Sequence, residues 1–386
     1  MHISRAVTTA AAVATPRFAM YYDQWHTASP SKEQMAGVTH VITAFAGTTL
    51  FTSDPASPFT PFVDVATLRS QFPEGTKMCV AIGGWGDSSG FSVGQKDNAS
   101  RKTYAKGVAA MLESHGYDCV DVDWEYPGGN GEDYKQNPNS GKVDEITNYA
   151  LMLQEIKSAI GGKELSIAVP GLERDMIAFT PEQVPKINDA VDVVNVMSYD
   201  LMNRRDTQTT HHTSVKASLA TVDKYISLGM DASKLNLGFA FYAKYFVTQG
   251  ECTEPIGCPT VQLEDANGGD TGKSGAVTFL EGPPVLSSGK ADDEEGGQWY
   301  WDPAESKFWT WDTPEFIAQK FEKIVKARGL GGVSKFLPTP FYNTFLLPFV
   351  FGEEADSCSC AVAWSLGEDS ADWTYVKAIQ AGLATL

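Results

Sequence analysis

Nowhere does the sequence approach the roughly 20 uninterrupted apolar residues that a transmembrane helix needs, so no membrane span is expected in its 386 residues. Positive charge is scarce as well. Thirty Lys and Arg stand against 48 Asp and Glu, a formal charge of −18. A surface of that sign repels phosphate backbones and anionic lipid headgroups, so neither nucleic acid nor a membrane is an expected partner. Cysteine is sparse too. The six present are too few for a disulfide scaffold in a chain this long, and no Cys/His cluster has zinc-ligand spacing. No metal and no cofactor is therefore expected. Cys79 and Cys119 sit inside apolar runs and read as buried thiols. Cys252 and Cys258 flank a short Glu-Pro-Ile-Gly loop and read as a small disulfide. The pair His211 and His212 has no ligand partners nearby and reads as structural or substrate-facing. Asn98-Ala-Ser100 is a glycosylation triplet of a kind that is common by chance.

What is present has a rhythm. Eight short runs rich in Val and Ile alternate with helical patterns: 18–22, 40–45, 78–82, 118–125, 165–169, 191–197, 235–241 and 361–365. Most lack a polar alternation, as expected of parallel strands covered on both faces. Between them, Ile146, Ala150, Leu153, Ile156 and Ile160 keep helical spacing. Thr313 and Pro314 open another helix as N-cap and first turn, and Gly329 closes it. Ser214 to Leu228 forms a further helix stopped by Gly229, and a last one runs from Asp372 to Leu383. The pattern predicts a (β/α)8 barrel. A doubly wound sheet is the alternative, but no Gly-rich phosphate turn follows the first strand.

Three segments break the rhythm. Residues 1–17 read as a leader, either a weak secretory signal with an Ala-rich core or a disordered start. Residues 246–309 carry twelve acids against three lysines, half of the net charge. Two aromatic runs there, 298–301 and 308–311, look like a hairpin, so this stretch is expected as a small β-rich insertion between strand seven and helix seven. Within it, Trp299, Trp301, Trp309 and Trp311 alternate, which leaves core and cleft wall both open. Residues 334–360 are the third segment, with prolines at 338, 340 and 348 that oppose regular structure. Setting these three aside leaves a length close to the ~250 residues of one barrel.

The most informative run is DCVDVDWEYP at 118–127. Residues two apart in a strand share a face, about 6.6–6.8 Å apart. Asp121, Asp123 and Glu125 therefore line one face, with Val120, Val122 and Trp124 on the other. If the valines face the helices, three acids climb inside the barrel towards its C-terminal rim, where barrel enzymes hold their catalytic groups. Three carboxyls this close cannot all ionise cheaply, so at least one holds a proton near neutral pH. The rim acid is then placed to act as a general acid, above an inner pair that titrates as a coupled system.

The run DCVDVDWE resembles the D-G-x-D-x-D-x-E signature of glycoside hydrolase family 18, the chitinase family. Weaker matches follow in the same order: YYDQW at 21–25, AFA at 44–46, AIGGW at 81–85, MSYD at 197–200, FYAK at 241–244 and WS at 364–365. The resemblance spans residues 18–386. It implies a retaining mechanism in which the substrate's own acetamido group is the nucleophile, an exception to the two-carboxylate scheme. Glu125 would be the general acid and later the base. Asp123 would orient the acetamido group, and Asp121 would share a proton beneath it. Tyr199 would hydrogen-bond the acetamido oxygen, Asp200 would contact the sugar, and Trp364 would floor the reacting subsite. Trp25 and Trp85 would be aromatic platforms, since flat C–H faces of sugars stack on exposed rings. Tyr21, Phe45, Gly84, Tyr126, Met197, Tyr242 and Lys244 complete the substrate-binding set that the resemblance implies. The partner would be chitin or N-acetylglucosamine oligosaccharides. A monomer is expected, secreted if the leader is a signal and cytoplasmic as the alternative.

Three positions depart from the family pattern. Cys119 replaces a glycine, Ala81 a serine that would hydrogen-bond the innermost Asp, and Lys244 an arginine, which keeps the charge but loses the bidentate fork. The family also reads without interruption from GLGG into its last strand. Here GLGGV ends at 333 and AVAWS begins at 361, and deleting 334–360 restores the pattern. An insertion there interrupts two ladders, so the segment is expected to be either a translated intron or a loop that leaves the strand and returns. The expected activity is hydrolysis of chitin. The alternatives are an N-glycan endoglycosidase, or a chitin-binding lectin, which would typically have lost the acid that Glu125 supplies.

Overall fold

A computed structural model describes residues 16–332 and 359–386. The elements run β1 (Arg17–Asp23), β2 (His40–Ala46), α1 (Val65–Gln71), β3 (Lys77–Gly83), α2 (Ser89–Gly94), α3 (Asn98–His115), β4 (Cys119–Asp123), α4 (Val143–Ile160), β5 (Glu164–Val169), α5 (Val184–Ala190), β6 (Val193–Val196), α6 (Val215–Ser227) and β7 (Leu235–Ala240). There follow β8 (Tyr242–Val247), β9 (Ser274–Thr278), β10 (Lys290–Asp292), β11 (Gly297–Asp302), β12 (Lys307–Trp311), α7 (Pro314–Lys320), β13 (Ser359–Trp364) and α8 (Thr374–Leu383).

Eight parallel strands close a barrel in the order β1-β13-β7-β6-β5-β4-β3-β2. Each of the eight expected runs is one of its strands. The alternation on β4 falls as expected. Val120, Val122 and Trp124 pack outward with Phe91, Tyr104 and Tyr149 of the surrounding helices, which leaves the odd-numbered acids to the interior. Helix ends follow the sequence: Asp97 caps α3 through Ser100, Ser214 caps α6 through Ala217, and Thr313 caps α7 through Phe316.

The antiparallel sheet β10-β11-β12-β8-β9 is the insertion that follows the seventh barrel strand. It starts at Tyr242, with only Phe241 between it and the end of β7, sooner than the charge pattern suggested. β11 and β12 form the aromatic hairpin, with Trp299 opposite Thr310 and Trp309 opposite Tyr300. Its tryptophans are packing residues. Trp299, Trp309 and Trp311 are buried, and Trp301 packs beside Trp299 and Phe308.

Two expectations need correction. Cys79 and Cys119 are not thiols but a disulfide. They are register partners on β3 and β4, with Cα atoms 4.5 Å apart, and neighbouring parallel strands put them within bonding reach. The cysteine that departs from the family glycine thus has a bonded mate. Cys252 and Cys258 are bonded as expected. Arg17, assigned to the leader, is instead the first residue of β1 and fully buried. Its guanidinium enters the N-terminal end of the barrel and ion-pairs Glu164 of β5. Residues 1–15 of the leader, and the segment 334–360 except its last two residues, lie outside the described residues.

Candidate active site

Asp121, Asp123 and Glu125 rise in that order towards the C-terminal rim. Asp121 is fully buried and well supplied with donors. It accepts from Ser166 Oγ of β5 at 2.6 Å, Tyr21 Oη of β1 at 2.8 Å and Asn195 Nδ2 of β6 at 3.0 Å. Asn236 of β7 donates in turn to Asn195 Oδ1 at 2.8 Å. Donors from three other strands therefore stand in for the serine that Ala81 replaces. Burial still pushes the Asp121 carboxyl up, and the three hydrogen bonds oppose it.

Asp123 sits one step higher, buried, with Oδ1 lacking any protein donor. Burial, Glu125 and Asp121 together hold its pKa well above the usual carboxylate range. Glu125 lies just past the end of β4 and is half-buried. Its pKa is pushed up to about 7, chiefly by burial and further by Asp200 and Asp175, against a hydrogen bond from Tyr126. A carboxylic acid that holds its proton at neutral pH beside an unfilled acceptor is the arrangement that proton donation requires.

Around these acids the strand ends build a cleft. Trp364, at the end of β13, stacks on Phe45 at 5.5 Å and leans on Tyr21 at 5.2 Å. Gly84 has a φ of +90°, and a Cβ there would come within 2.7 Å of the Phe45 ring. Glycine at this position is therefore what lets the ring lie flat under the cleft. Asp200, itself at a φ of +54°, accepts from Tyr242 Oη at 3.1 Å and Lys244 Nζ at 2.9 Å. Tyr199 is packed edge-on against Tyr242. Trp25 and Trp85 stand at the rim, 64% and 46% exposed. Both rings border the larger cavity of the cleft, and open rings of this kind are able to stack on flat apolar faces.

Two joined cavities make up the cleft, of about 470 Å³ and about 240 Å³. Among the residues singled out in the sequence, Tyr21, Trp25, Phe45, Gly84, Asp123, Tyr242 and Trp364 line the larger, and Tyr126 and Lys244 the smaller. Trp85, Glu125, Met197, Tyr199 and Asp200 line both. Asp121 lies beneath. All the residues that the family resemblance implies thus meet at one place. His211 and His212 do not reach it. Both are buried, His211 bonded to Thr310 at 2.9 Å and Asp292 at 3.2 Å. His212 is stacked behind Tyr242 at 5.4 Å.

Sequence reading missed several neighbours. Ser166, Asn195 and Asn236 were passed over, although a lone polar residue inside VVNV or LNL is the signal of a buried hydrogen bond. Asp175 and Arg205, which line the smaller cavity, come from loops that carry no periodic pattern.

Known proteins share this architecture. The structure of a Group IV chitinase from Ostrinia furnacalis superposes with a TM-score of 0.72 over 95% of this chain and 99% of that one, at 20% identity. A Cycas revoluta chitinase mutant solved with (GlcNAc)4 gives 0.71 over 95% and 99%, at 19% identity. At such identities the likeness is one of fold. In sequence, Chitinase 1 of Aphanocladium album is 24% identical over 359 residues, covering 81% of this chain and 79% of that protein. Endochitinase 1 of Metarhizium anisopliae is 26% identical, and the chain spans 59% of its length. The family model for glycosyl hydrolases family 18 matches residues 17–337, most of the chain and the whole acid ladder. The chain belongs to glycosyl hydrolases family 18.

Proposed function

We propose that this protein is a chitinase, hydrolysing β-1,4 bonds between N-acetylglucosamine units with retention of configuration. The observation that carries the reading is the half-buried Glu125, protonated up to about pH 7, directly above the donor-poor Asp123 and beside the Trp364 floor. In the first step Glu125 gives its proton to the glycosidic oxygen as the bond to C1 breaks. The carbonyl oxygen of the acetamido group on the same sugar closes onto C1, and the leaving chain departs as an alcohol. Asp123 faces the acetamido N–H and offsets the positive charge of the closed ring. Asp121, fixed by its three donors, lies beneath and by its charge favours a proton on Asp123, and Tyr199 donates to the acetamido oxygen. In the second step ionised Glu125 takes a proton from water. The water oxygen attacks C1, the ring reopens, and the free acid is restored.

Trp25 and Trp85 stack on sugar faces, while Asp200, Tyr242 and Lys244 hold hydroxyl and acetamido groups of the bound chain. Two disulfides fit folding in an oxidising compartment, consistent with a secreted enzyme acting on an external polymer. Among the described residues, no helix is long and apolar enough to cross a membrane. The test compares wild type with Glu125→Gln on chitooligosaccharides. Loss of the general acid should cost about 10²–10⁴ in kcat with binding retained. Equal rates would end the reading, and binding without hydrolysis by wild type would mark a lectin.

A further inference from the structure

The cleft is lopsided about Glu125. A general acid protonates the bond that lies beside it, so the two cavities it borders fall on opposite sides of the scissile bond. The larger, with Asp123 and Trp364, takes the sugar whose C1 reacts and the units on its non-reducing side. The smaller, running past Tyr126 to Arg205, takes the leaving group and whatever continues towards the reducing end. Its volume is about 240 Å³ against about 470 Å³. Sites that take a whole drug-sized molecule run from ~300 Å³ upward, so the smaller side holds about one sugar ring and part of a second.

What lies beyond that side is a clasp. The connection between β4 and α4 reaches over to the loop between β8 and β9 of the insertion. Tyr134 Oη donates to Glu264 Oε1 at 2.6 Å. Lys135 Nζ pairs with the same carboxylate at 2.6 Å and donates to the Asp265 carbonyl at 2.8 Å. Gln136 donates to the Asn267 carbonyl. Two strands, β5 and β6, separate β4 from β7 in the barrel, so no strand pairing brings these loops together; their side chains do. Arg205 fills the corner below. It donates to the carbonyls of Asn130 and Gly131 at 2.8 and 2.9 Å. Its guanidinium lies 4.0 Å from the Tyr134 ring centre and 5.7 Å from that of Trp85. At the other end of the cleft Trp25 is 64% exposed.

We infer that the clasp of Tyr134 and Lys135 on Glu264, with Arg205 wedged beneath, walls the leaving-group end of the cleft, so that the enzyme cuts close to reducing ends and releases a mono- or disaccharide. This rests on the chitinase reading and adds the mode of action. The experiment uses chitin hexasaccharide with an isotopic label at the reducing end, with the first products read by mass spectrometry. In wild type most of the label should leave in mono- and disaccharide. In the double variant Lys135→Ala with Glu264→Ala it should spread several-fold into tri- and tetrasaccharide. An aryl chitobioside, whose leaving group is a single ring, should be hydrolysed equally by both. Label appearing chiefly in trisaccharide or longer products of wild type overturns the inference, whether or not the double variant folds. So does an unchanged label pattern in a double variant that hydrolyses the aryl substrate at the wild-type rate. If wild type fails to cleave the aryl substrate at all, the chitinase reading falls, and this inference with it.

Discussion

The two ends of the barrel interior hold buried carboxylates in opposite states. At the N-terminal end Glu164 is held by two cations, Arg17 and Lys77 at 3.3 Å, and by His40 at 3.2 Å, an imidazole whose own pKa burial and Arg17 lower to about 4. Burial alone would raise its pKa, but Arg17, His40 and Lys77 outweigh that and hold it far below the usual range. At the C-terminal end Asp123 and Glu125 are comparably shut away from water, have other carboxylates for neighbours, and are pushed up instead. Burial raises all three acids; at Glu164 the groups packed around it outweigh that, whereas at Asp123 and Glu125 neighbouring carboxylates add to it. One end spends its charges on holding strands together, and the other keeps a proton ready, which is the usual division between the stabilising and catalytic faces of such barrels.

The comparison breaks hardest at Glu164. Glu164→Gln leaves Arg17 fully buried without its carboxylate. Removing one member of a buried ion pair costs about 3–5 kcal/mol. Denaturant unfolding should show that loss, while the pH profile of hydrolysis stays in place because Glu125 is untouched. A shifted profile at unchanged stability would mean that the two ends are not independent.

Between the ends lies the Cys79–Cys119 bridge. Cys119 pairs in register with Glu164 on one side and Cys79 on the other, two residues before Asp121. A bond that closes a 40-residue separation contributes about 2–4 kcal/mol. Replacing both cysteines by alanine should lower the melting temperature accordingly and leave cleavage near wild type at moderate temperature. A large fall in kcat, with stability kept, would show that the bridge also sets the height of the acid ladder.

The two ends were unequally legible in the sequence. The acid ladder was readable because period-two spacing and like-charge repulsion act within eight residues of one strand. The barrel was readable because eight apolar runs alternate with helical patterns. The floor was not, because Arg17, His40, Lys77 and Glu164 come from four separate strands, and each looks like an ordinary strand-end charge until the barrel closes. The Cys79–Cys119 bond was missed for the same reason. An apolar run predicts burial, but not which strand lies alongside. The donors to Asp121 and the clasp of Tyr134 on Glu264 also depend on contacts between distant segments, for which a single sequence carries no local signal.

The finest contrast is in pH dependence. Glu164 has a folded pKa below its unfolded value, so its stabilisation is present above about pH 4.3 and is lost as the pH falls. Glu125 has the reverse shift: ionising it costs more in the fold than in the open chain, so the fold loses stability as pH rises from about 4.3 towards 7. Activity follows the second group. The proton donor is present below about pH 7, so kcat/KM should fall on the basic side with a limb near that value. Asp200→Asn sharpens the assignment, because Asp200 raises the Glu125 pKa by its charge and its positive φ is one that Asn tolerates. Removing that charge also frees Lys244, which favours ionised Glu125 further. The basic limb should move to lower pH by less than about one unit, on top of any loss in sugar binding. Tyr126→Phe removes the hydrogen bond that lowers Glu125, so the limb should move the other way. Two substitutions on either side of one carboxyl, shifting one limb in opposite directions, would tie that limb to Glu125. A limb that ignored both would place the titrating proton elsewhere.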